Sequence, residues 1–335
     1  MGEVLTTRTI KADRDAIKVA ARCLGAGGLV AFPTETVYGL GADATNGQAI
    51  ARLYAAKGRP SFNPLIAHVG DTTAARRLAR FDAAAERLAD AFWPGPLTLV
   101  LPKTADCPVT DLATAGLDSI AVRVPSHPVA RDLIAAFGKP VVAPSANRSG
   151  HLSPTTAAHV LADLRGRVDL IIDGGPTQVG VESTIVACLG EPMLLRPGGI
   201  PRGRVEDVLR GALAEPPPQT EPTDEGEAPL APGMLASHYA PKAELRLDAE
   251  SARKGEALLA FGPELPAGAE KAPAMLNLSP RGDLVEAAAN LFSHLRTLDA
   301  SGAKTIAVMP VPHEGLGEAI NDRLQRAAAP RQLTS

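Results

Sequence analysis

Aromatic residues make up only 3% of this 335-residue chain, with a single tryptophan at Trp93. So few stacking surfaces argue against a protein that reads unpaired bases. Charge of one sign is also lacking. A net charge of −3 leaves no general basic field to hold a nucleic acid duplex through its phosphates. The three cysteines, Cys23, Cys107 and Cys188, are far apart and in no C-x-x-C spacing. They exclude a disulfide frame or zinc site and read as reduced thiols of a cytoplasmic protein. No apolar run is long enough to span a membrane, and Met1 to Lys11 holds no signal-peptide core. The match of Met1 to Thr6 to the myristoylation pattern is short enough to be expected by chance. Walker, G-x-S-x-G, H-E-x-x-H and EF-hand motifs are all missing, as is any acid–base pair of recognisable spacing. An enzyme without them works by positioning and charge stabilisation, which suits chemistry at phosphorus.

What is there falls into a longer and a shorter part. The stretch from Gly211 to Pro232 carries five acidic residues, six prolines and no Lys or Arg. Such a stretch cannot bury apolar surface and is expected to be an extended linker. It sets expected domains at residues 1–210 and 242–335, with 211–241 as linker and lid. In the first part, apolar spacing predicts helices over Asp15 to Leu24, Ala49 to Ala56 and Ala83 to Phe92. Short apolar strands are predicted at 29–32, 65–69, 97–101, 120–124, 141–143, 170–172, 184–188 and 193–195. Strands outnumber helices and the joins are rich in Gly and Pro, so a twisted mixed α/β sheet with flanking helices is expected. The second part alternates three strands, at 257–261, 274–278 and 305–309, with helices. One of these, Asp283 to Leu298, has a clean apolar stripe. A small Rossmann-like α/β sheet is expected there.

Two loops stand out. Lys57-Gly58-Arg59-Pro60-Ser61-Phe62-Asn63-Pro64-Leu65 puts two cations and an amide on a chain stiffened by proline. Ser145-Ala146-Asn147-Arg148-Ser149-Gly150 offers hydroxyls, an amide and a third cation. Cations beside small hydroxyl donors are what a polyphosphate needs. A bland alternative for Lys57 and Arg59 is a solvated helix end, where cations favour the dipole. Phe32 to Ala44 follows the first strand, and its Gly39, Gly41 and Ala44 mimic a dinucleotide fingerprint. The mimicry fails because the strand lies too far from Gly39 and no acidic residue follows at the right distance. The run reads as a turn held by Thr hydroxyls, or as a small polar ligand site. Arg123 sits among Ile120, Ala121, Val122 and Val124. A guanidinium there must meet a carboxylate, a phosphate or water. No acid is near in sequence, so a ligand carboxylate and a structural partner both stay open. His68, in an equally apolar strand, reads as a satisfied core residue.

Taken together, these motifs resemble the L-threonylcarbamoyladenylate synthase family in its long two-domain form, with a YrdC-like first domain. The match rests on Pro33 to Leu40, Lys57 to Leu65, Trp93 to Thr98, Ala121 to Pro125, Ser145 to Thr155, Ser183 to Ile185 and Arg196 to Gly198. Pro232-Gly233-Met234 and Ser237-His238-Tyr239-Ala240-Pro241 add the interdomain segment. The resemblance implies a nucleotidyltransferase that condenses L-threonine, bicarbonate and ATP to threonylcarbamoyl-AMP and pyrophosphate. That product serves threonylcarbamoylation of tRNA adenosine beside the anticodon, through a downstream transferase complex, so tRNA is met only indirectly.

Carried over by position, the resemblance implies ATP contacts at Arg59, Asn63, Ser119, Ser145, Ser153, Arg196 and Tyr239. It implies L-threonine contacts at Thr36, His68, Arg123, Ala143 through its backbone, and Ser183. Lys57 and Arg59 are the implied catalytic cations, and Lys57 and Asn147 reach phosphates or their Mg²⁺, with no metal held by protein alone. Two features depart from the family pattern: the longer, more acidic linker, and Ser237, where other members carry a cation. Two rival readings are a non-catalytic RNA-binding module and a carbamoyltransferase of hydrogenase-maturation type. The segment ending in His238-Tyr239 is expected to close over bound nucleotide as a lid.

Overall fold

The computed structural model describes residues 5–60, 62–216 and 239–329. Most of the expected lid, including Gly233, Met234, Ser237 and His238, lies outside the described residues, as does Ser61.

In chain order the first part forms β1 (Arg8–Lys11), α1 (Arg14–Gly25), β2 (Val30–Pro33), β3 (Tyr38–Asp43), α2 (Gly47–Lys57), β4 (Ile66–His68) and α3 (Thr72–Leu78). There follow α4 (Ala83–Phe92), β5 (Leu97–Pro102), the single turn α5 (Asp111–Thr114), β6 (Ser119–Arg123), α6 (Pro128–Phe137) and β7 (Val141–Val142). The part ends with α7 (Ala157–Leu164), β8 (Leu170–Asp173), β9 (Thr184–Ala187), β10 (Met193–Arg196) and α8 (Arg202–Leu209). The second part adds β11 (Glu244–Arg246), β12 (Ala257–Ala260), β13 (Met275–Asn277), α9 (Leu284–Ala300), β14 (Thr305–Val308) and α10 (Gly317–Ala328).

The first ten strands make one mixed sheet in the order β1-β8-β2-β3-β7-β4-β6-β5-β9-β10. Helices cover it because each carries an apolar stripe. Ile17, Ala20 and Leu24 of α1 and Ala130, Leu133 and Ile134 of α6 pack on one face. Ile50 and Leu53 of α2, Leu88 of α4 and Val160 of α7 pack on the other. Caps set the starts: the side chains of Asp13, Asn46, Asp71, Asp82 and Thr156 each accept a backbone N–H of the following helix.

The second sheet is parallel, in the order β11-β14-β12-β13. It has four strands, one more than the apolar pattern predicts. β11 is an edge strand reading Glu-Leu-Arg, too short and too polar to show as an apolar run. The two parts share a core: Val37, Leu152, Val181 and Tyr239 pack with Leu291, Phe292, Ile320 and Leu324.

The run after the first strand also differs from its reading as a turn alone. Thr34 does tie a turn, donating to the Val37 carbonyl at 2.6 Å. Tyr38–Asp43 is then a buried strand antiparallel to β2. Tyr38, Leu40 and Ala42 face the core while glycines alternate with them. A Cβ on Gly41 would meet the Val30 carbonyl oxygen at 3.0 Å and a ring carbon of Phe32 at 2.8 Å. The glycines that mimic a phosphate loop serve close backbone packing here.

Candidate functional site

Strands β4 and β6 run parallel in a register that sets His68 beside Arg123. Paired positions on neighbouring strands point to one face, so imidazole and guanidinium share a wall. The β2–β3 turn brings Thr36, and the chain past β7 brings Ala143 and Ser145. Ser183 precedes β9, and Arg196 closes β10. Together they border a partly open cavity lined by Thr36, Val37, Arg59, Ile66, His68, Arg123, Ala143, Pro144, Ser145, Glu182, Ser183, Arg196 and Tyr239.

Arg123 has a structural partner after all, supplied from the β2–β3 turn. Its Nη2 donates to Glu35 Oε1 at 2.6 Å and to Thr36 Oγ1 at 3.0 Å. Its Nε reaches the Gly95 carbonyl at 3.4 Å, and Nη1 makes no hydrogen bond among the described residues. The other oxygen of Glu35 accepts from the backbone of Ser126 and His127. Burial alone would raise the Glu35 carboxyl, but the charge and hydrogen bond of Arg123 outweigh it and hold the group low. Beside this pair, burial and then the Arg123 charge push the His68 imidazole down to about 3. His68 is therefore neutral at physiological pH.

Lys57 and Arg59 do not sit on a solvated helix end. Gly58 closes α2 in the left-handed region at φ 60°, which turns the chain back against the protein. Lys57 is buried, and its Nζ donates to the carbonyls of both Ser145 and Asn147 at 2.5 Å. Burial, with Arg59 next to it, pushes its ammonium well below the ordinary lysine range. The side chain thus ties the helix end to the Ser145–Asn147 loop. Arg59 faces the cavity and donates to the carbonyls of Asn63 and Pro64. Asn63 and Asn147 lie outside the cavity lining. Each keeps a buried side-chain oxygen with no hydrogen-bond partner among the described residues.

On the opposite wall, Arg196 donates to the Ser183 carbonyl at 2.9 Å and to Ser183 Oγ at 3.2 Å. Thr98 holds the same hydroxyl from behind at 2.8 Å. Burial lowers both Arg59, to about 10, and Arg196, so an anion in the cavity would favour the charged form of each. Ser153 sits one layer back and donates to Glu182 Oε1. Ser119 opens β6 opposite Pro102 and does not line the cavity.

Sequence reasoning gives Glu35 and Glu182 no role, because neither has a cation nearby in the chain, and it misses Arg323, the partner of Glu182. Its signal was present: in α10 a cation interrupts the buried stripe of Ile320, Leu324 and Ala327.

Comparison with known proteins gives the family and the overall fold. A family model described as "Telomere recombination" covers residues 22–198, and one described as "Threonylcarbamoyl-AMP synthase, C-terminal domain" covers residues 200–329. The chain is 42% identical over 330 residues to the threonylcarbamoyl-AMP synthase of Bacillus subtilis (strain 168), covering 95% of this chain and 94% of that protein. It is 43% identical over 329 residues to the synthase of Pyrococcus abyssi, covering 94% of each. It superposes on the crystal structure of P. abyssi Sua5 complexed with L-threonine with a TM-score of 0.84 at 39% identity, covering 97% of this chain and 98% of that one.

Proposed function

The chain belongs to the threonylcarbamoyl-AMP synthase family in its two-domain form, and we propose that its cavity condenses L-threonine, bicarbonate and ATP into threonylcarbamoyl-AMP and pyrophosphate. It is an enzyme of nucleotidyltransferase type. The RNA-binding and carbamoyltransferase alternatives are not favoured, because synthases of this name match both parts of the chain over nearly their whole length.

The observation that carries the reading is the meeting of two residue sets in one cavity. Thr36, His68, Arg123, Ala143 and Ser183 suit a small amino acid, while Arg59, Ser145, Arg196 and Tyr239 suit a nucleotide. With Nη2 held by Glu35 and Thr36, Arg123 keeps Nη1 for the L-threonine carboxylate. Neutral His68 adds no positive charge beside an amino group that must lose its proton to react. That amine adds to CO₂ with release of a proton to water, or to bicarbonate with loss of water, to give a carbamate. The carbamate oxygen then attacks the α-phosphorus of ATP, and pyrophosphate leaves. Arg59 and Arg196 stabilise the charge that builds on the leaving group. Lys57 acts through the Ser145–Asn147 loop that it holds, and Asn63 and Ser153 support the nucleotide from behind the cavity wall, whereas Ser119, at the far end of β6 from Arg123, is given no contact.

Mg²⁺ bound with the nucleotide would supply neutralisation of part of its charge. The buried amide oxygens of Asn63 and Asn147 are neutral hard donors that fit such an ion. Among the described residues no cluster of His, Cys, Asp or Glu could hold a metal without phosphates. No described helix is long and apolar enough to cross a membrane. We place the enzyme in the cytoplasm, supplying the transferase complex that modifies tRNA.

Incubation with labelled bicarbonate, ATP and each amino acid in turn tests the reaction. Pyrophosphate and a labelled acyl-adenylate are expected with L-threonine. Product formed equally well without it, or not at all, overturns the reading.

A further inference from the structure

The cavity carries a charge that is hard to reconcile with its proposed ligand. Glu182 lies in its wall, buried to 6% exposure, and a carboxylate there repels a polyphosphate. Arg196 in the same wall offsets part of that charge, and the cation that pairs directly with Glu182 comes from the other domain. Arg323 of α10 is fully buried, and its Nε donates to Glu182 Oε2 at 2.8 Å. Its Nη2 donates to the Pro197 carbonyl at 3.0 Å, and its Nη1 to Asp322 at 2.5 Å. Asp322 is in turn shared with Arg326 at 2.9 Å. The other oxygen of Glu182, Oε1, accepts from Ser153. The Arg323 guanidinium also lies 5.3 Å from the centre of the Tyr239 ring, and Phe292 of α9 packs the same ring at 5.6 Å. Tyr239 is thus seated from the C-terminal domain while it lines the nucleotide half of the cavity.

We infer that Arg323 is a positioning residue of the nucleotide pocket, supplied by the C-terminal domain, which cancels the Glu182 charge and seats the Tyr239 ring so that ATP can bind. The inference rests on the proposed nucleotide reading of the cavity. It gives the second domain a share in the chemistry of the first. A helix far along the chain makes an acidic wall acceptable to a polyanion, and it leaves the L-threonine half of the cavity alone. Glu182 in return orients Ser153 and fixes Arg323, so the pair aligns the two domains at the cavity edge.

Calorimetric titration of Mg-ATP, and separately of L-threonine, into the full chain tests this. Arg323→Gln is expected to weaken ATP binding roughly ten- to hundredfold while the Kd for L-threonine moves less than about twofold. Arg323→Lys, which keeps the charge, is expected to retain ATP affinity within about fivefold. Removing both charges, in Glu182→Gln/Arg323→Gln, is expected to recover most of the lost affinity, which a purely packing role would not do. ATP affinity indifferent to Arg323→Gln, equal losses for both ligands, or a double variant as weak as the single one overturns the inference. Should the single variant not fold, the folded double variant decides, and loss of ATP binding there overturns the inference as well. A wild-type chain that binds L-threonine but no ATP would instead overturn the nucleotide reading itself, and this inference with it.

Discussion

Arg123 and Glu35 form a buried ion pair with Nη2 2.6 Å from Oε1, and neither side chain is more than 7% exposed. Removing two charges from water is costly, and such a pair is tolerated when the remaining lone pairs and protons are satisfied. Here they are. The Ser126 and His127 amides take the second carboxylate oxygen, and Thr36 Oγ1 and the Gly95 carbonyl take guanidinium protons. The pair fixes where the guanidinium stands before any substrate arrives.

Glu35→Gln is therefore expected to act at a distance from the substrate. It strands the Arg123 charge, which should lower the stability of the ligand-free protein by about 3–5 kcal/mol. The Kd for L-threonine should rise while that for ATP stays near its wild-type value. Denaturant unfolding and calorimetry measure the two effects. Unchanged L-threonine affinity would mean that the guanidinium keeps its place without Glu35.

Lys57→Met tests the tether between α2 and the Ser145–Asn147 loop. The variant preserves bulk but leaves two carbonyls without their charged donor, at about 1.5–3 kcal/mol for the lost hydrogen bonds. Thermal unfolding of the ligand-free protein should shift downward, in contrast to the small change expected for a solvated surface lysine. A melting temperature equal to wild type would return Lys57 to the surface role.

Stability should fall as the medium becomes acidic, starting in the histidine range. The unfolded imidazole titrates near 6.5, whereas burial and then Arg123 hold folded His68 down at about 3. Between those values the unfolded chain binds a proton that the folded chain does not, so the contribution present above pH 6.5 is lost as the pH drops. His159, pushed down chiefly by burial to about 4, adds to the same slope. Glu182 follows at lower pH: burial would raise it, but Arg323 and Arg196 hold it at about 2, so its stabilisation fades below about 4.5. His68→Leu should flatten the slope between pH 6 and 4 by about 1.4 kcal/mol per pH unit, read from denaturant midpoints. An unaltered slope would show that His68 takes up its proton in the folded state.

Gly180→Ala should loosen the junction of the two domains. Gly180 has φ +78°, and an added Cβ would lie 2.3 Å from the Ala288 carbonyl oxygen and 2.5 Å from the Ala289 Cα. Backbone of α9 cannot move aside as a flexible side chain can. The left-handed conformation alone costs about 1–2 kcal/mol for an alanine. A lower unfolding midpoint and faster proteolysis between residues 211 and 241 are expected. A variant as stable as wild type would show that α9 shifts freely against the first domain.

Much of the molecule is legible in the sequence. Short apolar strands such as 120–124 and the stripe from Asp283 to Leu298 are local signals, because burial periodicity depends only on neighbours in the chain. The loops bearing Arg59, Ser145, Ser183 and Arg196 were legible as polar exceptions beside apolar strands. Tyr38–Asp43 was not legible as a strand, because alternating glycines removed half of its apolar signal. β11 was not legible because an edge strand needs few apolar residues.

What the sequence by itself determined was the order of elements, the mixed α/β class and the chemical character of the loops, all of which follow from residue type and short-range spacing. Only the tertiary structure decided how the charges were used. Arg123 meets an acid 88 positions away, and Glu182 meets a cation 141 positions away in another domain. Lys57 spends its charge on backbone carbonyls rather than on solvent. A buried charge selects its partner by proximity in space, and that proximity exists only once the sheets have closed.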